Sequence, residues 1–110
     1  MDKAQLLKGI LDGCILQIIQ RKETYGYKIT EELNERGFSD LNEGTVYPIL
    51  VRLEKKGLIN SSSRVSPLGP RRKYFKLSEE GSIYLNEFKN LWDGISGAVN
   101  EILEEGDGND

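Results

Sequence analysis

The 110-residue sequence contains no histidine, and it has a single cysteine, Cys14, and a single tryptophan, Trp92. The absence of histidine excludes a Ser-His-Asp triad and leaves too few nitrogen and sulfur ligands for a typical zinc site. One cysteine cannot form an intrachain disulfide, and its position in an apolar run predicts a small buried side chain in a reducing compartment. We therefore expect neither an enzyme nor a cofactor or metal site.

Long apolar segments are also lacking. The longest such stretch, residues 14–19, is interrupted by Gln17 and is much shorter than the ~20 residues that a membrane helix needs. No signal segment with a basic and then an apolar part opens the sequence. We expect a cytoplasmic protein of one domain, without a membrane partner. Only 37% of its residues are hydrophobic, and so lean a core suggests burial against a second chain.

Acidic residues outnumber basic ones, which gives a formal net charge of -3, but the charges are segregated along the sequence. Residues 43–78 carry eight basic side chains against two acidic ones, whereas residues 79–110 carry nine acidic side chains and one basic one. Residues 1–42 are almost balanced. Because binding to phosphate requires cations, the middle segment is the part predicted to bind a polyanion.

Apolar spacing predicts three helices in the first half of the chain. The first covers residues 3–21, and its apolar surface is wide enough to contact two other surfaces. The second begins at Thr24 as the N-cap and ends near Gly37. The third begins at Asn42, another good N-cap residue, and ends at Gly57.

A β-hairpin and one long helix complete the predicted elements. Two extended segments, residues 58–65 and 71–77, are separated by a stretch rich in proline and glycine. Ser78 is predicted to cap the last helix, and the acidic residues that follow it suit the first turn of a helix. This helix is predicted to run to about residue 105. The resulting domain boundaries are 1–78 for a DNA-binding domain with the N-terminal helix, 79–105 for a dimerisation helix and 106–110 for a disordered tail.

The order of these elements, mainly α with a small hairpin, is that of a winged helix-turn-helix. In the third helix, one face is apolar and predicted to be buried, and it consists of Val46, Ile49, Leu50 and Leu53. The outward face has small, hydroxyl, aromatic and basic side chains suited to DNA: Gly44, Thr45, Tyr47, Val51, Arg52 and Lys55. The alternative is an ordinary solvated helix face.

Three consecutive cations, Arg71, Arg72 and Lys73, open the second strand of the hairpin. Such neighbours repel one another unless an anion offsets their charge, and DNA phosphate is the natural partner. The alternative is a charged edge strand that discourages pairing with another sheet.

In the last helix, apolar residues alternate three and four apart, as in a coiled-coil seam. They are Leu85, Phe88, Trp92, Ile95, Val99 and Ile102. This face predicts a homodimer. The alternative is that it folds back on its own domain, although Leu91 and Leu103 offer a second apolar side for that contact.

Several stretches of the sequence resemble the PadR family of transcription regulators. The most specific are the Gly-Thr-Val-Tyr-Pro run at 44–48 and the Arg-Leu-Glu-Lys-Lys-Gly-Leu-Ile run at 52–59. The resemblance spans residues 7–19, 25–29, 43–50, 52–59 and 69–81. The single short last helix is similar to that of the smaller PadR subgroup.

The resemblance implies a homodimer, made by the first and last helices, that binds inverted-repeat operators in double-stranded DNA as a repressor released by a small molecule. It places Leu6 and Ile10 in the dimer interface and Tyr25 and Lys28 beside DNA. Multidrug-binding members have a tryptophan at the position of Trp92, which implies a planar hydrophobic effector there. The rest of that pocket does not match.

Two other functions remain open from the sequence. One is a protein-interaction adaptor that uses a winged helix without specific DNA binding, which weak and non-specific DNA binding at ordinary salt would favour. The other is a hydrolase that uses paired carboxylates. The acids lie mainly on exposed helical faces, however, with no apparent apolar pocket to raise a carboxyl pKa.

Overall fold

The computed structural model describes residues 1–65, 67 and 69–105. The predicted tail at 106–110 and two residues of the predicted hairpin loop, 66 and 68, lie outside this range. The described elements are α1 (Lys3–Leu7), α2 (Ile10–Arg21), β1 (Thr24–Tyr25), α3 (Gly26–Glu35), α4 (Glu43–Lys55), β2 (Ile59–Val65), β3 (Arg71–Leu77) and α5 (Glu79–Glu105). None of these helices combines the length and the apolar character that crossing a bilayer requires.

The prediction of one continuous helix over residues 3–21 is wrong. The helix is interrupted at Gly9, whose φ of +86° lies in the left-handed region that glycine adopts without steric cost. Apolar periodicity continues across this break, which is why spacing alone did not reveal it. The two parts differ in packing, since α1 has no buried residue whereas α2 buries Leu11, Ile15, Leu16 and Ile19.

Thr24 is not the N-cap of the second predicted helix. It lies in β1 and pairs with Phe75 of β3, while Tyr25 pairs with Tyr74. The N-cap of α3 is Tyr25, and its side chain makes no capping hydrogen bond. The two-residue strand adds to the predicted hairpin a third strand, giving an antiparallel sheet in the order β1-β3-β2. Backbone pairing thus outweighs the capping preference of threonine.

The other predicted helix boundaries are confirmed. The chain turns at Gly37 after α3 and at Gly57 after α4, with φ of +123° and +77°. The Asn42 side chain accepts a hydrogen bond from the Thr45 backbone N–H at 3.1 Å, as an N-cap does. The Ser78 hydroxyl accepts a bond from the Gly81 N–H at 2.9 Å and donates to the Gly57 carbonyl at 2.6 Å. Ser78 therefore ties the start of α5 to the end of α4.

One hydrophobic core holds these elements together, and helices α2 to α5 and the sheet all contribute to it. Its buried members are Leu11, Ile15, Leu16, Ile19, Ile29, Leu33, Val46, Leu50, Leu53, Leu58, Ile59, Phe75 and Leu85. The core therefore fixes the orientation of α4 and of the β2–β3 hairpin, which is the wing.

Helix α5 belongs to the core only at its beginning. Leu85 is 1% exposed, so it is buried in its own chain and has no surface left for the dimer seam in which it was predicted. Leu91 and Leu103, which offered a second apolar side for a contact with the domain, are 65% and 66% exposed and do not make that contact. From Trp92 onward α5 extends away from the body with its apolar side chains uncovered.

The close approach of α5 to the body yields a stability prediction. A Cβ atom at Gly81 would lie 2.0 Å from the Leu58 carbonyl oxygen, a backbone atom that cannot move away cheaply. We expect Gly81→Ala to lower the free energy of unfolding by about 1–3 kcal/mol through this clash. Urea denaturation at one fixed protein concentration measures the change.

Gly94 of the same helix is the matched control, since a Cβ there meets no atom within 4 Å. Gly94→Ala is expected to stabilise by roughly 0.5–1 kcal/mol, because alanine loses less backbone entropy in a helix. A Gly81→Ala protein as stable as the parent would contradict the packing described for α5.

Candidate nucleic-acid interface

Helix α4 has one buried and one open face. Ile49 of the predicted core face is only partly buried. The other three predicted residues, Val46, Leu50 and Leu53, are at most 1% exposed, as expected. Opposite them, Tyr47 is 50% exposed. Further exposed residues of the open face are Gly44, Thr45 and Lys55. Hydroxyl, phenol and ammonium groups thus share a surface that the rest of the chain leaves uncovered.

Val51 and Arg52 differ from the expectation of free outward side chains. Val51 is only partly exposed, so it offers less apolar surface than helical spacing suggested. The Arg52 Nη2 donates to both carboxylate oxygens of Asp12, each at 2.8 Å. Asp12 was not predicted as a site residue. The only signal for it in the sequence is an acid within an apolar helix.

The three predicted cations of the wing have different surroundings. The Arg71 Nη1 donates to the Ser63 hydroxyl at 3.3 Å, across the hairpin. The Arg72 guanidinium lies 4.5 Å from the centre of the Tyr25 ring. The Lys73 ammonium pairs with Glu54 of α4 at 3.1 Å. All three side chains are therefore oriented by neighbours before any ligand binds.

Aromatic rings and guanidinium groups alternate at the base of the wing. The Tyr25 and Tyr74 rings meet edge to face with centres 5.2 Å apart, and Arg64 lies 4.4 Å above Tyr74. Arg64 also pairs with Glu23. Such stacking favours arginine over lysine and restricts the side chain. Arg64 is a residue that the sequence analysis did not select, because its partners are distant in the chain.

Tyr25 and Lys28 border the same concave surface as Arg64 and Tyr74, a depression of about 720 Å³. Lys28 follows the N-terminus of α3 and pairs with Glu31 at 3.2 Å. The hydrogen bond that the Lys28 ammonium donates to Glu31, together with the negative charge of Glu31, raises the pKa of Lys28, so this group is cationic at neutral pH. With no side chain capping the N-terminus of α3, this end of the helix favours anions.

Glu54 connects α4 with the wing. Its carboxylate accepts a hydrogen bond from the Ser61 hydroxyl of β2 and pairs with Lys73 of β3. The Ser61 hydrogen bond and the Lys73 contact lower the pKa of Glu54, against the opposing effect of partial burial. Both strands of the wing are thereby attached to α4, which fixes the position of the wing relative to the open face of α4.

A second candidate surface lies on the side of α2 and α5. A groove of about 610 Å³ is lined by Ile10, Cys14, Phe88 and Trp92, among others. Trp92 is 45% exposed. Cys14 is only partly buried, whereas the sequence predicted a buried side chain, and this partial burial raises the pKa of its thiol. The other predicted interface residues, Leu6, Ile95, Val99 and Ile102, are all exposed.

The family comparison agrees with the fold. The transcriptional regulator PadR-like family matches residues 15–87, which include α3, α4, the wing and the start of α5. The chain belongs to the PadR-like family of transcriptional regulators. The resemblance noted in the sequence is thus confirmed.

Solved structures show the same winged helix fold. A PadR-like transcriptional regulator from Bacillus cereus strain ATCC 14579 is 44% identical, with a TM-score of 0.83 over 92% of this chain and 98% of that one. A transcriptional regulator from Streptococcus is 47% identical, with a TM-score of 0.81 over 89% and 96% of the two chains.

The transcriptional regulator Rv3488 of Mycobacterium tuberculosis, compared by sequence, is 36% identical over 77% of this chain and 78% of its own length. All three relatives are transcriptional regulators.

Proposed function

We propose that this PadR-family regulator binds an inverted-repeat operator as a homodimer and acts as a repressor. The observation that carries the proposal is the division of α4 into a buried face and an open one. Burial of Val46, Leu50 and Leu53 holds the helix rigidly, and Thr45 and Tyr47 stand on the other side. A helix supported in this way can enter the major groove without losing its own packing.

Cations of the wing and of the N-terminal part of α3 also support the proposal. Arg72 is stacked on Tyr25. Lys28 of α3 borders the same depression as Tyr25. In the proposed complex these cations contact phosphates beside the groove that α4 reads. Phosphate contacts fix the position of a protein on DNA, whereas groove contacts select the sequence. The two kinds of contact are therefore assigned to different elements of this chain.

The dimer is proposed to form through α5, assisted by residues Leu6 and Ile10. Ile95, Val99 and Ile102 are 55%, 46% and 69% exposed and lie on one side of the helix at seam spacing. A row of exposed apolar side chains of this length is typical of an interface. The seam in this proposal starts at Phe88, because Leu85 is already buried. The acidic residues of α5 keep this helix away from DNA phosphate.

Tyr47 and Arg72 test the proposed DNA contacts. Tyr47→Ala should cost roughly 1–3 kcal/mol of operator binding and weaken base preference, since it removes a groove contact. Arg72→Ala should weaken binding to all sequences similarly and reduce the salt slope by about one unit, as loss of a phosphate contact does. Both are measured by fluorescence anisotropy on an operator selected from random duplexes.

The control is Arg36→Ala, which removes the same charge from the exposed end of α3, beside the groove of α2 and α5. This variant should bind like the parent. If Tyr47→Ala and Arg72→Ala also match the parent at every salt concentration, α4 and the wing are not the DNA-binding surface.

Two neighbouring substitutions test the dimer. Val99→Glu would place a charge in the proposed seam, and an unpaired charge in a desolvated interface costs about 3–5 kcal/mol. Asn100→Glu adds the same charge one residue further, outside the seam. Sedimentation at micromolar concentration should show a monomer for the first variant and a dimer for the second. Dimers in both cases would place the interface elsewhere.

We further propose a planar hydrophobic effector in the groove beside Trp92, where an exposed indole adjoins apolar side chains. Trp92 is the only tryptophan, so its emission reports on this site alone. Titration with planar aromatic cations and phenolic acids should change the emission. A compound that weakens operator binding tenfold must itself bind the DNA complex tenfold more weakly. Unchanged emission in a dimeric, operator-binding protein would leave Trp92 a packing residue.

A further inference from the structure

Asp12 is an unusual residue in this chain because it is charged and yet buried. Its side chain is 10% exposed, and it is the one charged residue in the buried class among those the structure describes. It lies in the first turn of α2, where the helix dipole favours a carboxylate. A buried charge requires a partner, and the partner here comes from a distant part of the chain.

That partner is Arg52 of α4, forty positions further along the chain, whose Nη2 donates to both oxygens of the carboxylate at 2.8 Å. The Arg52 side chain is still 47% exposed. It lies at the edge of the open face of α4, so it is held at one end and accessible at the other. The pair therefore fixes where the guanidinium lies without covering it.

The pair also changes how Arg52 acts on DNA at a distance. An unpaired cation at the rim of a DNA-reading helix attracts every phosphate and strengthens binding to any sequence. A carboxylate in direct contact offsets this attraction, because at phosphate distances the two charges largely cancel. The remaining N–H donors are directional, so they reward only an acceptor that lies in the right place.

We propose that Asp12 is a specificity-determining residue of this regulator, although it has little exposed surface of its own. By holding Arg52 and cancelling its charge, Asp12 makes Arg52 contribute to recognition of the operator and not to sequence-independent binding. This inference rests on the proposed function, since it concerns the same reading helix.

The variant Asp12→Asn tests the role of the charge while keeping the size of the side chain and one acceptor. We expect it to bind a random-sequence duplex more tightly, with a salt slope steeper by up to about 0.9 for each protomer. The ratio of operator affinity to random-duplex affinity should fall about tenfold. A residue that only stabilises the fold would weaken both kinds of binding together.

Glu101→Gln is the matched control, because it removes the same negative charge from an exposed position of α5. It should leave the affinity ratio and the salt slope at parental values. In an Arg52→Ala background, Asp12→Asn should have no effect on the ratio, since the charge that it releases is then absent.

Arg52→Gln provides a second test that keeps Asp12 and does not depend on the folding of Asp12→Asn. It should lower the ratio of operator affinity to random-duplex affinity about tenfold. Random-duplex binding should fall as well, but by less, because the Asp12 carboxylate is then left without a counter-charge and repels phosphate. Equal losses on both duplexes would make Arg52 an ordinary phosphate contact and overturn the proposal.

The outcomes separate this inference from the function on which it rests. If the parent prefers its selected operator but Asp12→Asn behaves like Glu101→Gln, the role of Asp12 is refuted and the proposed function stands. If the parent shows no preference between operator and random duplex, both fall.

Discussion

Burial of three residues of α4 is the constraint on which the rest of the structure depends. Val46, Leu50 and Leu53 lie in the centre of the core. Because successive residues of a helix are about 100° apart, fixing these three decides which side chains point outward. Tyr47 could turn inward only if Val46 or Leu50 left the core, at a cost of several kcal/mol for the lost apolar burial. The open face of α4 is thus a consequence of the core.

Polar contacts then attach the remaining elements of the surface to this helix. Glu54 joins α4 to both strands of the wing through Ser61 and Lys73, and Asp12 joins it to α2 through Arg52. Individual ion pairs at a surface contribute little to stability. Their role here is geometric, because Glu54 keeps Lys73 of the wing close to α4 and Asp12 holds the Arg52 side chain in one position. Beyond its first turns, helix α5 takes no part in these contacts, and it carries many of the chain's acidic residues.

The long elements and the family could be predicted from the sequence, because they rest on local signals. Asn42, Gly57 and Ser78 act as helix boundaries through their own backbone or side-chain chemistry, and the motifs at 44–48 and 52–59 identified the family. Features that depend on distant partners could not be found in this way. The pairing of Thr24 with Phe75 replaces a plausible cap by a strand, and the contact between Arg52 and Asp12 spans two helices. The break at Gly9 leaves apolar spacing unchanged, so periodicity could not reveal it.

The proposed complex has two copies of α4 that read two half-sites on one side of DNA, held at a fixed spacing by the dimer. It is tested most directly by measuring affinity for a selected operator into which base pairs have been inserted between the half-sites. The account predicts that insertion of about half a helical turn, ~5 bp, reduces binding to the level of a single half-site, since a rigid dimer matches centres one turn apart. Affinity that does not depend on the spacing would contradict it.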